Sequence, residues 1–427
     1  MENLFVKNVI ANLVAYKVDI FGEGSKYLGF ESEMLDENGN QRVQHGFNST
    51  QLYGTILYEN AEGDVLKSKP VMIKLPPKVA ISEWISFSFL NEMIFFTKML
   101  PVLSTPEVPL FHLFPKFYHG EMKFDSEEDN SVIILEDLAA RGYRMAEMKS
   151  FLNYEHLAMM MRKLGQFHAH SYEAKNTVPL SFYPLADNCQ ETNWILNHKM
   201  FDMLATVSRR GLQYLKRDPA YSAFIPKISE MIQVDNIEDI FKQIFIEKCA
   251  DPVSVIVHGD YCRNNVMFKY KNNTPDDLVM LDMATCRYGS PVIDLVTVMY
   301  LNADQEMRNK HWNDLIDEYY TSMKETFPDN RIPTKDEILS EFIGKSFYGY
   351  LVASYFSPHL IADDNKIRCT NLDECLQQPD EDSTPAKAET SVVDKIIKLT
   401  LRAGGDEATR ALSDILRDLI DRCFICK

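Results

Sequence analysis

The chain has 427 residues, with 45 Lys and Arg against 62 Asp and Glu, a formal net charge of −17 at pH 7. That excess of acid argues against nucleic acid or an anionic membrane surface as a partner, because both are met by cationic groups. An apolar content of 45% with 25% charged residues is that of a globular protein, and the length suits two or three domains of about 150 residues or one large two-lobed unit. The start, Met1-Glu2-Asn3-Leu4, has neither the basic opening nor the apolar core of a secretion signal. The most apolar window, 80–103, is interrupted by Glu83, Asn91, Glu92 and Lys98, so no run of about 20 apolar residues spans a bilayer. The eight cysteines are dispersed, as expected for reduced thiols of a cytoplasmic protein. Cys423 and Cys426 are the one close pair, and no second pair at matching spacing completes a zinc site. Nothing in the sequence points to an obligate protein partner.

In chain order, the first third reads as strands and turns followed by one helix. Leu52–Tyr58 and Val71–Leu75 are strand-like runs around the polar stretch 59–64, a hairpin signal. Pro76 and Pro77 close the second strand. A helical pattern runs from about Ser82 to Met99, with Pro101 as its expected stop. The apolar strand Val132–Leu135 then leads into Glu136-Asp137-Leu138. Beyond it the chain turns mainly helical: Leu157, Met160, Leu164 and Phe167 recur at three- and four-residue steps. A second hairpin is expected from Asn265–Phe268, a turn over 271–276 and the strand Leu278–Leu281. Residues 371–391 carry Asp373, Glu374, Asp380, Glu381, Asp382 and Glu389 against Lys387 alone, which predicts a solvated acidic loop.

The stretch His258-Gly259-Asp260-Tyr261-Cys262-Arg263-Asn264-Asn265 carries the chemistry. Asp260, Asn265 five positions on, and Asp282 at the end of a strand have the order and spacing of the catalytic elements of kinase-fold phosphotransferases. A nucleoside triphosphate such as ATP brings dense negative charge that Mg²⁺ neutralises. Hard oxygen ligands suit that ion, and Asn265 and Asp282 supply them. Asp260 can accept the proton of an attacking hydroxyl and aim it at the γ-phosphorus. Asp294, in Gly289–Leu295, serves either as an anchor for the backbone of the catalytic loop, supporting His258 and its neighbours, or as a plain helix N-cap. Upstream, Lys74 is the one lysine of its stretch flanked by apolar residues on both sides, the place of a lysine that reaches the α- and β-phosphates. Glu92 on the following helix is its expected partner, whereas Glu83 sits near the helix start and suits the dipole. Gly22 and Gly24 could let backbone N–H groups approach phosphate, or form a plain turn. Glu136 and Leu138 fall where a hinge would offer backbone groups to adenine. Tyr348, Tyr350, Tyr355 and Phe356 either line an acceptor site or fill the core.

These residues resemble the ecdysteroid kinase-like (CHK kinase-like) family, which is related to choline kinases and aminoglycoside phosphotransferases. The resemblance covers most of the chain and rests on the glycines near Gly24, Ile73-Lys74, Asn91-Glu92, Leu135–Leu138, Leu164–Ala169, His258–Asn265 and Asp282 through Asp294. It implies an α+β, two-lobed, protein-kinase-like fold: a small antiparallel-sheet lobe with one main helix, residues 1–138, binding nucleotide, and a larger helical lobe, residues 139–427. It implies ATP- and Mg²⁺-dependent phosphorylation of a hydroxyl on a small molecule, with ecdysteroids or foreign alcohols and glycosides as acceptor classes. The chain departs from the family at Cys262, where many members have Trp, and at Met283-Ala284 after the metal Asp. Both departures bear on the acceptor and loop mobility more than on the reaction.

A protein kinase needs a longer segment after its metal Asp, ending in Ala-Pro-Glu, to dock a peptide. Here Asp294 follows Asp282 closely, no such tripeptide follows, and Gly259 stands where the phosphate-sensing arginine would be. A pseudokinase would be expected to lose Lys74, Asp260, Asn265 or Asp282, and all four are present. A choline-type kinase would want an aromatic and acidic pocket.

Overall fold

The structure is a computed structural model describing residues 4–32, 44–45, 49–60, 66–76, 83–122, 131–147, 150–192, 194, 196–245, 253–328, 331–362 and 385–425. Its first part is built on an antiparallel sheet. The strands are β1 (Lys26–Ser32), β2 (Gln44–His45), β3 (Thr50–Glu59), β4 (Leu66–Leu75), β5 (Phe117–Glu121) and β6 (Val132–Glu136), in the order β1-β3-β4-β6-β5 with β2 on β3. Strand alternation decides which side chains face the site, because successive residues point to opposite faces. Val71 and Ile73 of β4 and Val132 and Ile134 of β6 pack on one face against Val6, Ile10, Leu13 and Val14 of helix α1 (Leu4–Tyr16). Met72, Ile133 and Leu135 point the other way, toward Phe89 on α2 (Glu83–Ile94). Lys74 shares that second face, so its ammonium meets α2.

Helix α1 was not expected. Its apolar residues recur at helical spacing, within a third of the chain whose strongest patterns are those of strands. Nor does Pro101 stop α2. A π turn over Phe95–Met99 widens the helix, and the chain stays helical through Pro101 to Leu103.

The second part is mainly helical: α3 (Tyr154–Thr177), α4 (Pro179–Asn188), α5 (His198–Ser208), α6 (Val234–Phe245), α7 (Val292–Asn302), α8 (Gln305–Thr326), α9 (Lys335–Ile361), α10 (Pro385–Arg402) and α11 (Gly405–Asp421). Helix α3 starts at Asn153, whose side chain accepts from the His156 N–H, and lies on α8. A Cβ at Gly165 would stand 2.3 Å from the Tyr319 carbonyl oxygen, so this glycine sets the spacing of the two helices. Two small strand pairings carry the loop 258–265. Strands β9 (Val266–Lys271) and β10 (Thr274–Met280) form a hairpin, extended by β7 (Tyr143–Arg144), and β8 (Val255–Val257) pairs with β11 (Arg287–Gly289). The turn expected over 271–276 tightens to Asn272 and Asn273, with φ of 52° and 63°, a hairpin geometry that Asn tolerates.

Of the expected acidic loop, residues 371–384 lie outside the described part. Residues 385–391 are not loop but the first turns of α10, where Pro385 at the opening and Ala386, Lys387, Ala388 and Glu389 favour helix. Among the described residues no helix is long and apolar enough to cross a membrane. Cys426 lies outside the described part, so the pairing of Cys423 with it does too.

Candidate active site

The loop 258–265 joins β8 to β9 and hangs from one carboxylate. Asp294 is fully buried in the first turn of α7, which starts after Pro291, so Asp294 does not cap the helix. Its Oδ2 accepts the backbone N–H of His258 (2.7 Å) and its Oδ1 that of Gly259 (2.8 Å). His168 Nε2 donates to Oδ2 at 3.1 Å, and Tyr319 donates to His168 Nδ1 at 2.9 Å. Burial alone would raise this carboxyl, but the His168 hydrogen bond and the neighbouring charges hold it below the ordinary value. The stabilisation is therefore complete above the unfolded value of about 3.9 and is lost as pH falls through the depressed native one.

His258 is buried. Its Nε2 donates to the Leu281 carbonyl at 2.9 Å, which fixes the tautomer and leaves Nδ1 to accept from the Asp260 N–H at 3.4 Å. Thr285 Oγ1 donates to the His258 carbonyl at 2.8 Å. The loop before Asp260 is thus tied to the chain on both sides of Asp282, at Leu281 and at Thr285. Gly259 has φ +86°, and a Cβ there would lie 2.3 Å from the Thr285 oxygen and 2.6 Å from Arg287 Nη1. Gly259→Ala is therefore expected to destabilise the protein by about 2 kcal/mol, read as a lower denaturation midpoint. An unchanged midpoint would show that the loop relaxes freely.

Asn265 donates through Nδ2 to both the backbone oxygen and Oδ2 of Asp260, each at 2.8 Å. That fixes the Asp260 carboxylate and turns the amide oxygen, not the nitrogen, toward any cation. The Asn265 carbonyl accepts from the Leu281 N–H at 2.8 Å, which sets Asp282 beside the loop. Asp282 has left-handed backbone (φ 60°) and a side chain 39% exposed in the cleft.

Lys74, buried on β4, donates to Glu92 Oε1 (2.9 Å) and Oε2 (2.8 Å) and lies 3.3 Å from Asp282 Oδ1. Burial alone would lower the Lys74 pKa, but the Asp282 and Glu92 carboxylates outweigh it and hold the ammonium above its ordinary value. Lys74 in turn outweighs the effect of burial on Asp282, which is held below the ordinary carboxylate range. Asp282 is therefore ionised at neutral pH.

A divalent ion fits these residues by its chemistry. Among the described residues no three His, Cys, Asp or Glu side chains group together to hold a metal. A site with one carboxylate and one amide oxygen matches Mg²⁺, which keeps several waters and shares phosphate oxygens.

Glu136 and Leu138 sit at the exit of β6. The Glu136 carboxylate accepts from Arg141 Nη1 at 3.1 Å, and Asp137 caps a short turn by accepting from the Ala139 N–H. Their carboxylates are thus spent locally, and Leu138 is buried.

Gly22 and Gly24 stand apart from the site. Lys26, just after them, pairs with Glu59, whereas Lys74 pairs with Gln51, eight residues along β3, or about 26 Å. The two glycines, at φ +94° and +71°, instead turn the chain out of the short helix Val18–Phe21 into β1, with Ser25 Oγ donating to the Phe21 carbonyl. The end of β1 that lies toward Lys74 is Ser32, and residues 33–43 after it are outside the described part. Tyr348 and Tyr350 are core residues, while Tyr355 and Phe356 are half-buried.

Arg287, Thr285 and Asn91 also shape the site, though no sequence pattern gives them a role. Arg287 fills the space that Gly259 leaves and pairs with Glu191 at 3.1 Å. A glycine directly before Asp260 is its trace in the sequence.

Fold and site together define a two-lobed, kinase-like protein: a sheet lobe with a lysine–glutamate pair facing a mainly helical lobe that carries the loop 258–265. The chain belongs to the ecdysteroid kinase-like family, which matches residues 47–330. No curated protein matches the sequence. Solved structures that resemble it include a microcompartment-associated aminopropanol kinase, at 11% identity and TM-score 0.42, covering 88% of this chain and 96% of that one. The GDP complex of a wild-type aminoglycoside 2'-phosphotransferase has 10% identity and TM-score 0.37, covering 92% and 99%. Choline kinase from Cryptosporidium parvum has 11% identity and TM-score 0.38, covering 98% of each chain.

Proposed function

We infer that this protein is an ATP- and Mg²⁺-dependent phosphotransferase acting on a hydroxyl group of a small molecule. The observation that carries this reading is the convergence of Asp260, Asn265, Asp282, Lys74 and Glu92, from separate stretches of sequence, into one hydrogen-bonded and ion-paired cluster. In it Asp260 takes the proton of the acceptor hydroxyl and orients its oxygen. Lys74, held by Glu92, binds phosphate oxygens. Asn265 and Asp282 would hold Mg²⁺, which when bound supplies charge neutralisation at the phosphates. Residues 1–138 act as the nucleotide-binding lobe, with the backbone at Glu136–Leu138 receiving adenine, and residues 139–427 as the catalytic and acceptor lobe. The protein works in the cytoplasm.

The favoured acceptor is a neutral alcohol, an ecdysteroid or related steroid first, then a foreign alcohol or glycoside. A quaternary ammonium would want an open carboxylate among aromatic faces. Beside the catalytic loop the Glu191 carboxylate is matched by Arg287, whose guanidinium covers the Phe245 ring at 4.5 Å. The test is a panel of steroids, amino alcohols and glycosides with ATP and Mg²⁺, read by product mass. Phosphorylated steroid alcohol is expected. Turnover of choline or ethanolamine alone would overturn the acceptor class, and a flat panel would overturn the enzyme.

A pH profile tests the base. Burial, helped by the charge of Asp282 and opposed by His258, raises the Asp260 carboxyl above its ordinary value. Asp260 must be ionised to take a proton, so transfer is lost as pH falls through that raised value. The acid limb of kcat/KM is expected above about 3.9, the free Asp value. A limb at or below that value contradicts the role.

A further inference from the structure

We propose that Asn91 is a positioning residue that fastens the lysine–glutamate pair of the sheet lobe to the Asp282 loop of the helical lobe; the proposal rests on the phosphotransferase reading above. Asn91 is fully buried and directly precedes Glu92 on α2. Consecutive helix residues point about 100° apart, so while Glu92 faces Lys74, Asn91 faces the opposite lobe. Its amide is fully engaged there. Oδ1 accepts the Gln190 N–H at 3.0 Å, and Nδ2 donates to the Gln190 carbonyl at 2.7 Å and to the Ala284 carbonyl at 3.0 Å. Ala284 lies two residues after Asp282. Its oxygen also accepts from Thr192 Oγ1 at 2.6 Å, so the strap 190–192 and helix α2 grip the same carbonyl.

The contacts span 99 and 193 residues of sequence. They join α2, which carries Glu92, to the strap 190–192 and to the segment just after Asp282. Lys74 touches both Glu92 and Asp282 only while α2 stays on that loop. The fastening is a neutral amide on backbone groups, so it asks for no phosphate, metal or charge change to close. It gives the site a lobe contact that is assembled as the chain folds. A core asparagine placed for stability alone would have no reason to bond the loop that carries the metal Asp.

The experiment compares wild type with Asn91→Ala and with the isosteric Asn91→Asp, which keeps the acceptor oxygen and loses both donors. Three readouts are taken: kcat and KM for ATP, the Mg²⁺ concentration for half-maximal rate, and backbone hydrogen exchange across 83–94 and 281–286. Displacing a reacting geometry by about 1 Å costs roughly 10²-fold in rate. Both variants are therefore expected to lose about that in kcat, to need more Mg²⁺, and to exchange faster in those two segments, while α8 exchanges as in wild type. A lower melting temperature with kcat and the exchange of 281–286 unchanged would mean Asn91 is merely structural, and the proposal falls. If Asn91→Ala does not fold, Asn91→Asp carries the comparison at a temperature where it is native. If wild type transfers phosphate to nothing, the enzymatic reading fails instead, and the exchange data still decide the fastening: unchanged exchange at 281–286 overturns it.

Discussion

Asp282→Asn is expected to cut nucleotide-dependent phosphotransfer by on the order of 10³-fold while leaving the fold intact. The substitution is nearly isosteric, and Asn is among the few residues that accept the left-handed backbone found at this position. What changes is charge. The wild-type carboxylate is held ionised by Lys74, and it is the negative charge expected to meet a divalent ion alongside the Asn265 oxygen. An amide in its place cannot neutralise a cation and leaves Lys74 paired to Glu92 alone. The check is a steady-state assay together with a denaturation curve. Loss of rate with an unchanged midpoint is the expected result, and full turnover would show that the metal assignment is wrong.

The second large effect is on stability. Lys74→Met strands Glu92 in the interior facing Asp282, and breaking a buried ion pair by removing one partner costs about 3–5 kcal/mol. Burial already presses the Glu92 carboxyl above its ordinary value against the pull of Lys74. Without Lys74 that value rises further, so the variant keeps its stability at low pH, where Glu92 is neutral, and loses it as pH rises through the raised native value. Replacing both residues, Lys74→Met with Glu92→Met, is expected to recover most of the loss, since a packed apolar pair removes the stranded charge. Phosphotransfer is not expected to return in either variant. Equilibrium unfolding across pH checks the first part. A single variant as stable as wild type, or an active double variant, would contradict it.

The chemistry-bearing residues were the most legible part of the sequence. The apolar residues on both sides of Lys74 and the Asp260–Asn265–Asp282 spacing are local patterns, and local patterns survive folding because strand and hairpin geometry are set by neighbours. Asp294 shows the limit. Its sequence context left a cap and an anchor equally open, and only the approach of His258 and Gly259 to its two oxygens separates them. Gly22 and Gly24 show a different limit. Two glycines before a strand fit a phosphate loop or a plain turn, and the register of β1 on β3 decides between them. Pro101 was read by its usual effect on an α-helix, but a π turn upstream absorbs it. Asn91 left only a faint trace, one amide in the apolar run Phe89–Phe96, because its partners Gln190 and Ala284 are backbone groups far along the chain.

The central claim is that Asp260 draws the proton from a small-molecule hydroxyl while the rest of the cluster holds the nucleotide. The most direct test incubates a small-molecule extract with ATP and Mg²⁺, in parallel with wild-type protein and with Asp260→Asn, and reads phosphorylated alcohols by mass spectrometry. Phosphate esters with wild type, reduced by on the order of 10²- to 10⁴-fold in the variant, are the predicted result. Equal product from both proteins, or none from wild type, would contradict the account.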